Sequence, residues 1–382
     1  MRGLVLLVGA IVLVDTLFYA AITPILPALA DELGLGKGAA GIMEAAYAAG
    51  TFAGALPGGW LAARFGVRTA VLTGLALMSV SGVVFALGTS ELVLDVARFV
   101  QGLGGACSWA GALAWLASAA PRERRGELLG TALGAAIVGG QLGPVAGAAA
   151  DALGRDVVFS AAAVLGAGLA VWAWRTPAPA VQPAGVLQPA QAVRDRGIAA
   201  GMALTALPSA AFGAIGVLGP LALDDLGATA LAIGATFFVA AGLEALVNPV
   251  VGRQVDRRGV RAVALPGLAA AGVLLALVPV PGTAAGLAIA LVAATGALGV
   301  LWVPGMALIA AGADRSGLDQ GYAAALFSLA WAAGFTVGSA GGGALAERTG
   351  DGGPFALVAA ACLVAAVAIV RTRRVPALRS PG

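Results

Sequence analysis

From Leu4 to Pro27 the chain stays apolar for longer than a bilayer is thick, with Asp15 as the one charge inside the run. An α-helix rises 1.5 Å per residue, so about 20 apolar residues cross the hydrocarbon core. Further runs of this kind follow, and together they predict twelve spans, at roughly 4–27, 39–62, 69–88, 92–118, 127–150, 156–174, 198–222, 229–251, 262–279, 284–311, 318–345 and 354–370. A soluble fold is excluded by charge. Only 11% of the residues are charged and 60% are hydrophobic, whereas soluble domains carry about 25% charged residues. The 58 glycines agree, because small residues let membrane helices approach where lipid supplies no hydrophobic drive between them. The first run is too long and continuous for a cleavable signal and is assigned to the first span.

The loops set the orientation. Arg2, Arg64, Arg68, Arg122, Arg124, Arg125, Arg175, Arg194, Arg196, Arg253, Arg257, Arg258, Arg261, Arg315 and the tail arginines Arg371, Arg373, Arg374 and Arg379 fall on one side. Lys37, Arg155 and Arg348 fall on the other. The positive-inside rule places the first set in the cytoplasm, with both termini, and so requires an even number of spans. The basic residues thus serve topology, and the net charge of +3 does not imply a nucleic-acid partner. The Pro-rich stretch after span six reads as a linker. The predicted division is a bundle over 1–175, a cytoplasmic linker over 176–197, a second bundle over 198–371 and a tail over 372–382. A multi-pass monomer in the cell (inner, cytoplasmic) membrane is expected.

A repeat supports two halves. GWLAARFGVR begins at Gly59 and GRQVDRRGVR at Gly252, an interval of 252 − 59 = 193 residues. Six spans lie between the copies, so both face the same side, as in parallel repeats related by an axis along the membrane normal. Gly59, Gly66, Gly252 and Gly259 would permit tight turns between packed helices. Arg64, Arg68, Arg257 and Arg261 would stay in the interface, and Asp256 could pair with an arginine or a helix end.

With these motifs the chain resembles the major facilitator superfamily over essentially its whole length. The loop is similar to that family's hallmark between helices two and three, although Ala63 replaces the usual acid of the first copy. RFVQGLGGA, from Arg98, resembles the fourth-helix motif. The stretch Gly130 to Ala148 resembles the antiporter motif of helix five through Gly130, Gly139, Gly143, Pro144 and Gly147. Asp15 with Pro24 and Pro27 is similar to the first helix of proton-linked drug exporters and of vesicular amine carriers. The eleventh-helix acid of those amine carriers has no counterpart here, and Ser328 stands nearest its place. The resemblance implies an all-α major facilitator fold of twelve helices in two pseudo-symmetric six-helix bundles. It implies a proton-coupled drug:proton antiporter working by alternating access. In it Asp15 binds substrate or proton, Arg98 modulates proton binding, and the glycine face of span five is a contact between the halves.

The remaining polar residues leave alternatives open. An ionised Asp15 at mid-span costs about 2.5–3.5 kcal/mol, so it must face a wet cavity, carry a proton or be satisfied by neighbours. Tyr19 lies one turn away on the same face. Asp95, Arg98 and Gln101 share a face of span four, either as proton-binding machinery or as a structural ion pair with Arg98 snorkelling outward. Glu44 is a second titrating group or a surface acid at a frayed helix end. Glu244 is expected to pair with a cytoplasmic arginine. Gln141 is a candidate cavity-lining residue and Trp302 the strongest aromatic candidate for a substrate wall. Cys107 and Cys362 are expected in the core. There is no histidine, no acid pair with metal-ligand spacing and no phosphate-binding glycine loop. An enzyme, a resident cofactor and ATP drive are therefore not expected, and the proton gradient is the expected energy source. Two substrate classes stay open: small lipophilic molecules, cationic ones among them, or sugars and other neutral metabolites.

Overall fold

The structure is a computed structural model and describes residues 1–121, 124–179, 195–318 and 320–371. Most of the expected linker (180–194), the tail (372–382) and the loop residue Arg122 lie outside the described residues. Where described, the chain is helices joined by short turns. The first run is α1 (Arg2–Ala20), a 3-10 turn (Thr23–Ile25) and α2 (Leu26–Leu33). Pro24 and Pro27 lack the N–H that would continue the helix, and the break falls there. Then come α3 (Lys37–Phe65), α4 (Val67–Leu87), α5 (Glu91–Ala119), α6 (Arg125–Leu153) and α7 (Arg155–Arg175). After the linker come α8 (Arg196–Asp225), α9 (Ala230–Arg258), α10 (Val260–Leu277), α11 (Ala284–Gly299), α12 (Trp302–Arg315), α13 (Gln320–Thr349) and α14 (Gly352–Arg371).

Among the described residues ten helical runs are long and apolar enough to cross a membrane. The helices α3 and α5 have 29 residues each and still fall short. They miss on composition, since α3 is mostly Ala and Gly and α5 carries Glu91, Asp95, Arg98 and Gln101. Elsewhere the helices expose large apolar side chains, Leu6, Val80, Leu246 and Ile289 among them, as a lipid-facing surface requires. Cys107 and Cys362 are buried free thiols.

Backbone proximity divides the chain into two units, residues 1–187 with 229–238, and residues 188–228 with 239–382. The half-chain interval recurs inside them. The helices α3, α4 and α5 begin at residues 37, 67 and 91, and α9, α10 and α11 begin 193 residues later, at 230, 260 and 284. Gly66 and Gly259 occupy the same place in the two copies. Each ends a helix with positive φ, 94° and 79°, a conformation that L side chains rarely adopt. Gly59 and Gly252, expected at turns, instead lie inside α3 and α9, where an added Cβ would meet nothing within 4 Å. Arg68 donates from Nη2 to the Thr176 carbonyl just past α7 (2.5 Å). Its equivalent, Arg261, donates to the Val370 carbonyl in the last turn of α14 (3.1 Å). The repeated arginine therefore ties the third helix of each half to the end of that half's last helix, at carbonyls left without helical donors.

The glycine stripe of α6 also packs within its own half. A Cβ at Gly139, Gly143 or Gly147 would strike the Leu13, Leu17 or Ala21 carbonyl, or a side chain beside it on the first run. In α13, Gly334, Gly338 and Gly342 meet Ala206, Ala210 and Ala214 of α8 in the same way. The glycines expected to serve as a contact between halves thus pack on the first run of their own half, while Pro144 and Ala148 beside them meet Gly234 of α9, where an added Cβ would be 2.9 Å from the Pro144 carbonyl oxygen. Pro144, inside α6, has Ser339 at its counterpart position.

Candidate functional site

Asp15 is on α1, a turn and a half before the helix breaks, and is 2% exposed. Its carboxylate is met by two donors from other helices. The Tyr47 hydroxyl of α3 lies 3.0 Å from Oδ1 and 2.9 Å from Oδ2. The Trp109 indole Nε1–H of α5 donates to Oδ2 at 2.8 Å. Space for this comes from Gly105, whose added Cβ would sit 2.7 Å from Asp15 Oδ1 and 3.0 Å from the Tyr47 hydroxyl. The helices α3 and α5 come close enough to share the acid because glycines face backbone across their seam. A Cβ on Gly50 would strike the Phe99 carbonyl, and one on Gly102 the Tyr47 carbonyl. Gly54 and Gly58 meet Leu103 and Cys107 at 2.9–3.1 Å.

Arg98 completes the cluster. It is fully buried, with no exposed surface. Nη1 donates to Gln101 Oε1 (3.0 Å) and to the Phe18 carbonyl (3.4 Å), and Nη2 donates to the Tyr19 carbonyl (3.2 Å). Phe18 and Tyr19 lie in the last turn of α1, whose carbonyls lack helical donors and form the negative end of the helix dipole. The guanidinium also lies 5.1 Å from the centre of the Tyr47 ring, within cation–π range. Glu44 foremost, and Asp15 more weakly, supply the carboxylate charge that bears on it.

Asp15, Tyr19, Glu44, Arg98 and Gln101 are therefore brought together in one buried polar cluster. Three expectations are corrected. Arg98 does not snorkel, because the carbonyls at the end of α1 hold it inside. Asp95 is not its ion-pair partner; its Oδ1 is buried without a hydrogen bond. Glu44 is not a surface acid but is 2% exposed. Tyr19 lies beside the cluster through its ring, 4.8 Å from that of Tyr47. Tyr47 and Trp109 as holders of Asp15 were not foreseen. One signal was available, since two of the chain's three tyrosines are in this cluster.

The other candidates lie elsewhere. Gln141 is half-buried on α6. Arg64, Asp256 and Arg257 are exposed at the ends of α3 and α9. Trp302 begins α12, with its ring 5.4 Å from Phe212 and stacked on it. Glu244 lies against Gly299, where an added Cβ would be 2.7 Å from its Cγ, and the Trp302 indole is within electrostatic reach of it. The expected pairing with a cytoplasmic arginine is not made among the described residues.

A broken first helix, repeated halves and a buried charge cluster coincide with the comparisons. The profile of the Major Facilitator Superfamily matches residues 8–212 and 201–382. The chain belongs to that superfamily. Members of the Major Facilitator Superfamily are transporters of small molecules and not enzymes, and this chain has the membrane-length apolar helices of such a protein. It is 33% identical over 122 residues to the MFS-type transporter ppzB of Metarhizium rileyi. It is 34% identical over 109 residues to the human synaptic vesicular amine transporter and 28% identical over 145 residues to the quinolone resistance protein NorA of Staphylococcus aureus. Those matches cover 32%, 28% and 38% of this chain but only 25%, 21% and 37% of the three relatives. In fold, it superposes on a D-xylose-proton symporter with a TM-score of 0.78 at 17% identity, over 97% of both chains.

Proposed function

We propose that the chain is a proton-coupled exporter of small lipophilic molecules, cationic ones included, working by alternating access with twelve membrane-crossing helices. In this reading α3 and α5 cross the membrane although they are less apolar, because their polar residues are shielded inside a half. Both termini are cytoplasmic, the membrane is the cell membrane, the chain acts as a monomer, and the proton gradient drives transport without a bound cofactor. One observation carries the reading: two buried carboxylates, Asp15 and Glu44, lie within the electrostatic reach of one buried guanidinium, Arg98. With both acids ionised the cluster carries a net charge of −1, and one proton makes it neutral. Low-dielectric surroundings penalise the uncompensated charge, so taking up and giving up one proton is the exchange that this inventory suits. A cation arriving at Asp15 would compete with that proton, which is antiport in its simplest form. The names of two relatives support the substrate class, one an amine transporter and one a quinolone resistance protein. Arg68, Arg261, Asp256 and the glycine-bearing loops are assigned to the conformational change.

The test is a growth assay in an exporter-deficient bacterial strain expressing this chain, challenged with a panel of cationic and neutral toxicants. Protection against lipophilic cations that a protonophore abolishes is the expected result. Protection confined to neutral metabolites would assign the cluster to protons alone. No protection, or protection that survives the protonophore, contradicts the reading.

A further inference from the structure

The second half holds an acid that the proton cycle above does not use. Glu244 lies eight residues before Gly252 on α9, about 12 Å of helix, and is half-buried. Its side chain lies along the backbone of Gly299, where an added Cβ would be 2.7 Å from Glu244 Cγ and 3.3 Å from Oε2. Three residues on stands Trp302, whose indole lies within electrostatic reach of the carboxylate. The Trp302 ring is stacked on Phe212 (5.4 Å) and edge-on to Phe327 (6.2 Å). All three aromatic rings are partly exposed. Between Gly299 and Trp302 the helix is interrupted at Val300–Leu301. Pro304 cannot supply the N–H that the Val300 carbonyl would accept in a continuous helix.

The site is related to the first by the repeat. Trp302 follows Trp109 by 302 − 109 = 193 residues, the interval of the loops, so equivalent indoles each lie near an acid of their own half. Around Asp15 the other helices supply a tyrosine hydroxyl and a nearby guanidinium. Around Glu244, among the described residues, they supply aromatic faces and no cation. A carboxylate inside a membrane helix faces a wet cavity, carries a proton or takes a positive partner. A divalent metal would need several oxygen ligands, and one carboxylate among rings does not offer them. An organic cation suits both halves of the environment, its charge on the acid and its body against the rings.

We propose that Glu244, with Trp302, Phe212 and Phe327, binds a lipophilic organic cation bearing aromatic groups. This deepens the export reading by naming a site for the substrate in the second half, separate from the proton-binding cluster. The test is equilibrium binding of tritiated tetraphenylphosphonium to the purified full-length protein in detergent, with no gradient, so that a failure of proton coupling does not affect the result. Glu244→Gln is expected to weaken binding by about tenfold or more, and Trp302→Ala by about fivefold. Triphenylphosphine oxide, a neutral aromatic analogue, should compete about tenfold more weakly than unlabelled tetraphenylphosphonium, an arm that needs no variant. Absence of saturable binding to the wild type, binding to Glu244→Gln within about twofold of the wild type, or equal competition by the neutral analogue overturns the proposal.

Discussion

The same helix pair is assembled tightly in the first half and loosely in the second, and four residue positions account for the difference. Gly50, Gly54 and Gly58 on α3 and Gly102 on α5 let two backbones touch. At the positions 193 residues later stand Leu243, Val247, Val251 and Thr295. Leu243 packs on Gly296, and among the described residues α9 makes no comparably close backbone approach to α11 or α12. The tight seam encloses Asp15, whereas the loose one leaves Glu244 half-exposed. Internal repetition thus preserves helix starts and the indole, while side-chain volume decides whether the acid beside it is sealed.

The largest expected effect follows from the guanidinium that only the first half contains. Removing one partner from a buried charge group costs about 3–5 kcal/mol, so Arg98→Gln should lower the melting midpoint in detergent more than any other substitution discussed here. A variant as stable as the wild type would mean that the cluster does not depend on Arg98. The seam itself is next. Gly50→Leu, which installs the residue of the second half, drives a side chain into the Phe99 carbonyl and should cost about 3 kcal/mol. The reverse change, Leu243→Gly, costs about 1 kcal/mol, chiefly helix entropy. Equal penalties would show that the two seams are not packed differently.

A finer contrast comes from the paired indoles. Trp109→Phe removes a hydrogen bond to an enclosed carboxylate and should destabilise by about 1.5 kcal/mol. Trp302→Phe should cost less, because its indole makes no such close hydrogen bond to the half-exposed Glu244. Differential scanning of the two variants checks the order. The smallest effect concerns the entries to the first helix of each half. Asp195 caps α8, accepting from the N–H groups of Gly197 (2.8 Å) and Ile198 (3.0 Å) and from Arg315 (2.9 Å), whereas α1 starts without a side-chain cap. Burial opposes ionisation of Asp195, but the Arg315 hydrogen bond, the two N–H groups and the Arg315 charge outweigh it and hold the carboxyl below its usual range. A depressed value stabilises the fold above the ordinary aspartate range and loses that contribution as pH falls through the lowered value. Asp195→Ala should therefore cost about 1 kcal/mol at neutral pH, and the gap from the wild type should close as the pH falls below about 4. A gap that widens in acid would reverse the sign of this contribution.

The membrane-length helices, the repeated loop and the place of Asp15 and Arg98 inside such helices were legible in the sequence, because span length, charge placement and a half-chain interval are local or periodic signals. The partners of the acids were not. Tyr47 is 32 residues from Asp15 and Trp109 is 94 away, and nothing in a helix's own periodicity names a neighbour at that distance. Spacing suggested Asp95 for Arg98, since the two lie three apart on one helix. The carbonyls at the broken end of α1 and the charge of Glu44 prevailed, because tertiary placement outweighs a local pair. The glycines of α6 were legible as a packing face, but their partner was not. The matching stripe in α13 shows that each half sets these glycines on its own first helix, while Pro144 beside them meets Gly234 of α9.

In the proposed function the enclosed acid of the first half trades protons for cargo. The most direct measurement of this exchange is accumulation of a lipophilic cation in proteoliposomes whose interior is one pH unit more acidic than the bath. Each proton exchanged supplies about 1.36 kcal/mol, enough for about tenfold accumulation. The account predicts that wild-type vesicles reach that level and that Asp15→Asn vesicles stay near the equilibrium ratio. Accumulation by Asp15→Asn equal to that of the wild type, with the same dependence on pH, would contradict it.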